Sequence, residues 1–275
     1  MISQDELTSM GNRKPARRGA EIPAAIRDAL AVGAIESKNL VEWLNVDRLQ
    51  LSRLICKQLG LSELASQIDE LASADEKLAA LKMSMRIGSL FATSIKIGDA
   101  SFQFMSTHAS DVVREWVAIV IGAQEKTSFA RKLAHIKPFA DDPNPGVREI
   151  AWIAMRRDVI LDPTAAISRL VPWTGSRTAN LRRYASEITR PCGVWAAHIP
   201  QLKDDPKPGL FLLEPLRADE SKYVRDSVAN WLNDAGKTHA PWVRELTKRW
   251  TKESPCKETD LIVRRAMRRL KAENS

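Results

Sequence analysis

The stretch YVRDSVANWLNDAGK, residues 223–237, decides the fold of this chain. Its apolar residues recur at steps of three and four, which is the spacing of one face of an α-helix. Near its start, Val224 is followed by Arg225, and a further apolar residue, Val228, lies three positions after the arginine. The same pattern of apolar residue, arginine and later apolar residue recurs along the chain. The five arginines are separated by 34, 34, 43 and 39 residues and are Arg114, Arg148, Arg182, Arg225 and Arg264.

A period of this size, with two helices per unit, predicts a solenoid. One unit cannot bury both of its faces, so neighbouring units stack and share a continuous core. Segments rich in proline and in aspartate, asparagine or serine separate the helices and predict tight turns. The predicted fold class is therefore all-α, a right-handed α-solenoid of HEAT-like helical repeats with a concave basic surface.

The repeat pattern predicts three parts of the chain. Residues 106–275 form the HEAT-like array, and residues 21–105 form an N-terminal helical cap region, with amphipathic spacing at 22–31, 40–59 and 76–91. Residues 1–20 carry four cationic side chains and predict a flexible basic N-terminal arm, with plain disorder as the alternative.

Composition narrows the function classes. The 275 residues carry a formal net charge of +8, which is typical of proteins that meet phosphate polyanions but also fits ribosome contact or an ordinary solvated surface. The three cysteines and four histidines lack metal-ligand spacing, and no glycine-rich phosphate motif occurs, so no metal or cofactor is expected. No apolar run is long enough for a membrane span or an export signal, and we expect a cytoplasmic protein.

The basic residues have two interpretations. An arginine at a fixed place in each repeat can bond an acidic or carbonyl group of its neighbour, and it is then structural. Cations beyond that position favour contact with a duplex backbone. The predicted DNA-binding residues are Arg148, Arg183, Arg190, Lys222, Lys237, Arg265, Arg268 and Arg269.

Tryptophan is the second unusual feature, with eight tryptophans against two tyrosines. Trp116, Trp152, Trp195 and Trp231 fall on or beside the repeat helices. Most tryptophans belong to a core, but an exposed one on a basic face can offer its π surface to a cation.

Four segments of the C-terminal half resemble one protein family. They are 185–191 (ASEITRP), Trp195 with 198–202 (HIPQL), 223–234 (YVRDSVANWLND) and 262–270 (IVRRAMRRL). Over about residues 140–271 the chain resembles the bacterial DNA alkylation repair glycosylases of the AlkC and AlkD type, and it is most similar to AlkC.

The resemblance implies a monomeric, monofunctional DNA glycosylase without a cofactor. Its substrate is double-stranded DNA with cationic N3- or N7-alkylated purines, which it excises without full base flipping. Carried over by position, Trp195 matches the lesion-facing tryptophan, and Asp234 matches an acidic residue of the family.

One position departs from the AlkC pattern. The place of the family's catalytic glutamate falls on Trp152, and Glu149 lies one helical turn earlier. Residues three apart are neighbours on a helix, so Glu149 can replace the missing carboxylate, or it can be a solvated partner of Arg148 or Arg182. Asp234 can likewise be a helix cap or a ladder residue. The candidate catalytic set is Glu149, Trp152, Trp195 and Asp234, and the alternative function is a noncatalytic scaffold that binds nucleic acid or protein.

Overall fold

The computed structural model describes residues 3–73, 79–193, 195–268 and 270. Within these ranges every regular element is a helix, which confirms the predicted all-α class. The α-helices are α1 (Gln4–Gly11), α2 (Ala24–Ala31), α3 (Leu40–Leu44), α4 (Arg48–Leu59), α5 (Ser62–Ser73), α6 (Ala80–Ser94), α7 (Ala100–Ser106), α8 (Asp111–Gly122), α9 (Phe129–Ala140), α10 (Pro145–Leu161), α11 (Pro163–Thr174), α12 (Ala179–Glu187), α13 (Pro200–Asp204), α14 (Leu210–Leu213), α15 (Lys222–Gly236), α16 (Ala240–Glu253) and α17 (Lys257–Ala266).

The chain divides into two compact units. One consists of Met1–Ser128 with Asp142–Ala154, and the other of Phe129–Asp141 with Met155–Ser275. In the first unit α8, the first helix of the predicted array, packs against α6 and α7 of the predicted cap region. In the second unit α15 packs against α12, α16 and α17. None of the described helices is long and apolar enough to cross a membrane.

The turns between helices follow the predicted capping chemistry. Pro163 is the first residue of α11, and the side chain of Asp162 accepts a hydrogen bond of 2.9 Å from the backbone N–H of Ala165. Asp47 caps α4 in the same way and divides the predicted helix 40–59 into α3 and α4. A short acceptor side chain thus satisfies a donor that a helix start leaves without an intrahelical partner.

The repeated arginines bind the turns that precede their helices. In the first unit, the Nη1 of Arg114 donates to the carbonyls of His108 and Ala109, and that of Arg148 donates to the carbonyls of Asp142 and Pro143. The distances lie between 2.6 and 3.1 Å. Each arginine therefore fixes the two carbonyls that lie six and five residues before it.

The second unit repeats this arrangement with Arg182 and Arg225. Their Nη1 atoms donate to the carbonyls of Ser176 and Arg177 and of Asp219 and Glu220, respectively. Arg182 also donates from Nε and Nη2 to the two carboxylate oxygens of Asp219, at 2.6 and 3.0 Å. Arg114 forms the equivalent pair with Asp142 in the first unit. The structural interpretation, in which a repeated arginine bonds an acidic or carbonyl group, is confirmed for these four residues: all four bond turn carbonyls, and Arg114 and Arg182 also bond carboxylates.

Arg264 does not continue the ladder. The other four arginines are the fourth residue of their helix, whereas α17 begins at Lys257 and Arg264 is its eighth. The carbonyls six and five residues before Arg264 therefore already lie inside the helix. The side chain of Arg264 is exposed and has no hydrogen bond or ion pair with the rest of the described chain.

The N-terminal segment differs from the expected flexible arm. It contains α1, whose Ser3 and Glu6 form a reciprocal capping box. The guanidinium of Arg13 donates to the buried carboxylate of Glu42 and to the carbonyl of Glu36. Arg13 is thus an internal ion-pair partner, and a free arm would not place it there.

We expect the ladder arginines and Arg264 to differ in their effect on stability. Arg182→Ala should lower the free energy of unfolding by about 3 kcal/mol, because it leaves the buried carboxylate of Asp219 without its partner. Arg264→Ala is the matched control and should change that free energy by less than about 0.5 kcal/mol. Urea denaturation followed by circular dichroism measures both variants, and equal losses would contradict this account.

Candidate functional site

Glu149 and Trp152 meet on the N-terminal part of α10, in the first unit. The indole N–H of Trp152 donates a hydrogen bond of 2.8 Å to Oε2 of Glu149, as the spacing of three residues predicts. Trp152 is only 2% exposed, whereas Glu149 is partly exposed. The prediction that Trp152 belongs to the catalytic set is therefore corrected. Its ring is packed in the core, and its indole N–H binds the carboxylate of Glu149.

Trp195 lies in the loop between α12 and α13, in the second unit. It is 67% exposed, while Trp116, Trp231 and Trp250 are fully buried. A large aromatic side chain in water forgoes the stabilisation of burial, and such residues often mark a contact surface. The structure thus leaves the ring of Trp195 accessible from solvent.

Asp234 lies on α15 with both carboxylate oxygens occupied. Oδ1 accepts from Nζ of Lys237 at 2.8 Å, and Oδ2 accepts from Nε of Arg190 at 2.9 Å. The residue is 4% exposed. Asp234 is therefore an internal ion-pair partner rather than a carboxylate that faces solvent.

The same network continues through Glu187 at the end of α12. Its Oε1 accepts from Arg190 at 2.7 Å and its Oε2 from the hydroxyl of Ser227 at 2.7 Å, while Arg183 lies 3.5 Å from Oε2. Burial raises the pKa of Glu187, but the charges of Arg183 and Arg190 and the Ser227 hydrogen bond outweigh burial and lower the pKa. The network is thus an ionised cluster inside the second unit.

The prediction that Arg183 and Arg190 bind DNA is wrong. Arg183 and Arg190 are 8% and 9% exposed and face the carboxylates of this cluster. The guanidinium of Arg183 also lies over the ring of Tyr223, 4.8 Å from its centre. Both arginines neutralise buried carboxylates, so they do not offer their charge to a phosphate.

The other predicted cations lie in different surroundings. Arg148 is fixed to the turn before α10 and is partly exposed, and Lys237 is exposed but paired with Asp234. Lys222, Arg265 and Arg268 are all exposed. Arg269 lies outside the described residues.

A basic groove runs between α15 and α17 in the second unit. Its volume is about 580 Å³, and it is lined by Lys222, Arg225, Asp226, Leu261, Arg264, Arg265 and Arg268. Lys222 and Arg265 both bind Asp226, at 2.5 and 2.9 Å. Arg264 in α17 and Arg268, two residues after the end of this helix, are exposed and have no internal partner in the described chain. The groove therefore offers two uncommitted guanidinium groups.

Sequence reasoning missed two of these features. The sequence pattern groups Arg264 with the repeated arginines, and only the start of α17 shows that its side chain lacks the turn carbonyls. Arg156, which the sequence did not single out, donates to the carbonyl of Ala197 in the Trp195 loop at 2.9 Å. Within the described ranges, no three histidine, cysteine or acidic side chains are placed to hold a metal ion.

The chain is similar to three solved proteins. Pseudomonas fluorescens alkylpurine DNA glycosylase AlkC, bound to DNA containing an abasic site analog, matches with a TM-score of 0.64 and 24% identity over 82% of this chain and 62% of that chain. AlkD2 from Streptococcus mutans matches with a TM-score of 0.58 and 21% identity over 75% and 97%. The protein smu.31 from Streptococcus mutans UA159 matches with a TM-score of 0.53 and 20% identity over 79% and 96%.

One curated sequence is also similar. YhaZ of Bacillus subtilis (strain 168), an uncharacterized protein, is 44% identical over 117 residues, which are 42% of this chain and 32% of YhaZ. The chain thus spans about a third of the length of that relative. No family model matches the chain.

These findings establish the fold. The chain has the fold of the AlkC and AlkD-type proteins, and the resemblance predicted from residues 140–271 is confirmed at this level. Identities of 20 to 24% do not by themselves carry activity from one protein to another, because one fold serves many functions.

The buried ion cluster predicts a pH-dependent effect. Glu187→Gln should lower the free energy of unfolding at pH 7 by about 3 kcal/mol, because Arg183 and Arg190 lose a buried counter-charge. Since the folded-state pKa of Glu187 is lowered from 4.5, the stabilisation is present above pH 4.5 and is lost as the pH falls through the lowered value. The difference between wild type and variant should therefore shrink in acid.

Denaturation curves from pH 3 to 7 measure this difference. Glu220→Gln is the control, because the side chain of Glu220 is 90% exposed, and it should be nearly neutral throughout. A Glu187→Gln deficit that stays constant down to the lowest pH would contradict an ionised cluster.

Proposed function

We propose that the protein binds duplex DNA and excises cationic alkylated purines, as an N3- or N7-alkylpurine DNA glycosylase. The observation that carries the proposal is Trp195, a 67% exposed tryptophan at the position of the family's lesion-facing residue, in a chain with the AlkC and AlkD fold. AlkC is itself described as an alkylpurine DNA glycosylase.

Cleavage of the glycosidic bond of an alkylated purine needs little acid catalysis from the protein. An alkylated purine carries a positive charge, so the base is a good leaving group and departs with the electron pair of the bond from C1′ to nitrogen. Water then adds to C1′ and gives its proton to a base. The protein needs to stabilise the oxocarbenium-like sugar and to place that water. An indole face and a carboxylate supply these two functions.

Glu149 is the better candidate for the carboxylate. It is partly exposed, and the indole N–H of Trp152 fixes one of its oxygens. Asp234, on α15, is buried and neutralised by Arg190 and Lys237. Its role in this proposal is to stabilise the buried ion cluster. Trp152 occupies the place of the family's glutamate and orients the carboxylate one turn away.

The basic groove supports DNA as the partner. Arg264 lies near the end of α17 and Arg268 lies two residues beyond it; both line the groove, and neither has an internal partner in the described chain. A planar guanidinium binds phosphate oxygens through two parallel hydrogen bonds. Two such groups side by side suit a backbone of regularly spaced phosphates.

A second candidate function is a noncatalytic scaffold that binds nucleic acid or protein. The burial of Trp152 at the place of the family's carboxylate favours it. This scaffold would keep the basic groove and bind DNA without releasing a base. The two functions therefore differ in one measurable product.

Release of free N3-methyladenine from methylated duplex DNA tests the proposal. Wild-type protein should release the base in a single turnover. Glu149→Gln should slow release at least about 100-fold because the water loses its base, and Trp195→Ala about tenfold because the sugar cation loses an indole face. Both variants are compared at saturating protein so that binding does not limit the rate.

Matched controls separate the site from the surface. Glu245→Gln and Phe211→Ala change exposed residues of the same kinds elsewhere and should leave the rate unchanged. A wild type that binds the duplex but releases nothing would refute the glycosylase and favour the scaffold. Equal rates for Glu149→Gln and wild type would remove Glu149 from the mechanism.

A further inference from the structure

Arg156 lies on the last part of α10, in the second unit, and is 2% exposed. Its guanidinium donates to three main-chain carbonyls. Nε donates to Ala197 at 2.9 Å, while Nη1 and Nη2 donate to Ile188 and Arg190. In the described chain these carbonyls are its only hydrogen-bond acceptors. The guanidinium therefore joins two separate pieces of backbone.

This arrangement is unusual for a buried charge. Buried arginines are as a rule paired with carboxylates, because taking a charge out of water is costly. Burial, and next the charge of Arg190, lower the pKa of Arg156 to about 10, so the side chain is still cationic at neutral pH. The charges of Glu187 and Asp234 favour the cation from a distance, while the three carbonyls are its direct hydrogen-bond partners, and a neutral side chain would make those three bonds poorly.

The three carbonyls show what the guanidinium holds. Ile188 and Arg190 belong to the turn that ends α12, and Ala197 lies two residues after Trp195. A backbone hydrogen bond, from the N–H of Ile199 to the carbonyl of Pro191 at 3.0 Å, closes the same loop. The loop that carries the exposed tryptophan is therefore tied at its base by Arg156 and by this backbone bond.

We propose that Arg156 is a positioning residue that fixes the Trp195 loop to the end of α12 and so sets where the indole is presented to a ligand. The catalytic part of this inference rests on the proposed glycosylase function, whereas the tethering part does not. Arginine suits the task because its rigid fork reaches three acceptors in one plane. Lysine keeps the charge but has a point-like ammonium that cannot span them.

Hydrogen exchange measured by mass spectrometry tests the tether directly. In Arg156→Lys and Arg156→Gln, peptides covering residues 191–199 should exchange at least about tenfold faster than in wild type, because the loop opens more often. Peptides from α15 should keep their protection. Arg157→Gln is the control, since Arg157 is the exposed neighbour on the same helix, and it should match wild type.

A second readout follows Trp195 itself. The emission of Trp195 is obtained as the difference between each protein and its Trp195→Phe counterpart, with and without acrylamide. Quenching of that emission should change in Arg156→Lys but not in Arg157→Gln. On methylated duplex, Arg156→Lys should lower the single-turnover rate towards that of Trp195→Ala while the Kd for DNA stays within about twofold.

Three outcomes would overturn the inference. Unchanged exchange of 191–199 in Arg156→Lys would show that the tether is dispensable. Faster exchange throughout α15 in both variants would make Arg156 a residue of the core fold rather than of the loop. A loosened loop with an unchanged base-release rate would remove the positioning role. If wild type releases no base, the glycosylase fails, and exchange and quenching still decide the tether.

Discussion

The bond from a repeated arginine to the carbonyls of the preceding turn is the constraint on which the rest of the structure depends. A turn between helices leaves carbonyls without helical partners, and burying them costs free energy unless a donor reaches them. Arg114, Arg148, Arg182 and Arg225 each supply that donor at the same place in their helix. Where the turn also contains an aspartate, the arginine of another repeat binds its carboxylate, so one residue type fixes both the turn and the next repeat.

This use of arginine decides which charges are left for a ligand. A net charge of +8 suggests a uniformly basic surface. Many guanidinium groups, however, are already bonded to main-chain carbonyls or to the carboxylates of the Glu187 cluster. Arg264 differs because α17 starts earlier relative to the repeat, which removes the turn carbonyls from reach, and Arg268 lies after the end of that helix. The same holds near Trp195, where Arg156 donates to main-chain carbonyls and is not available to a ligand. The cations available to a ligand are thus those without hydrogen-bond partners inside the fold.

The sequence predicted the helices, the repeat and the ladder, because periodicity and capping are local properties. It also predicted that Glu149 and Trp152 would meet, since a helix places residues three apart together. It could not distinguish the buried Arg183 and Arg190 from the exposed Arg265 and Arg268, because burial depends on which helix packs over each position. Arg264 was misassigned for a related reason: its motif matched the repeat, but the helix start that gives the motif its meaning lies seven residues upstream.

The salt dependence of duplex binding tests most directly the claim that DNA meets the cations which the fold leaves free. The slope of log K against log salt counts the phosphates that a protein neutralises. Arg264→Ala/Arg268→Ala should reduce the magnitude of that slope by about 2. Lys248→Ala/Lys252→Ala removes the same charge from exposed positions on α16 and should leave the slope unchanged. Equal slopes for the two double variants would contradict the account, since the groove would then contribute no more than any other basic surface.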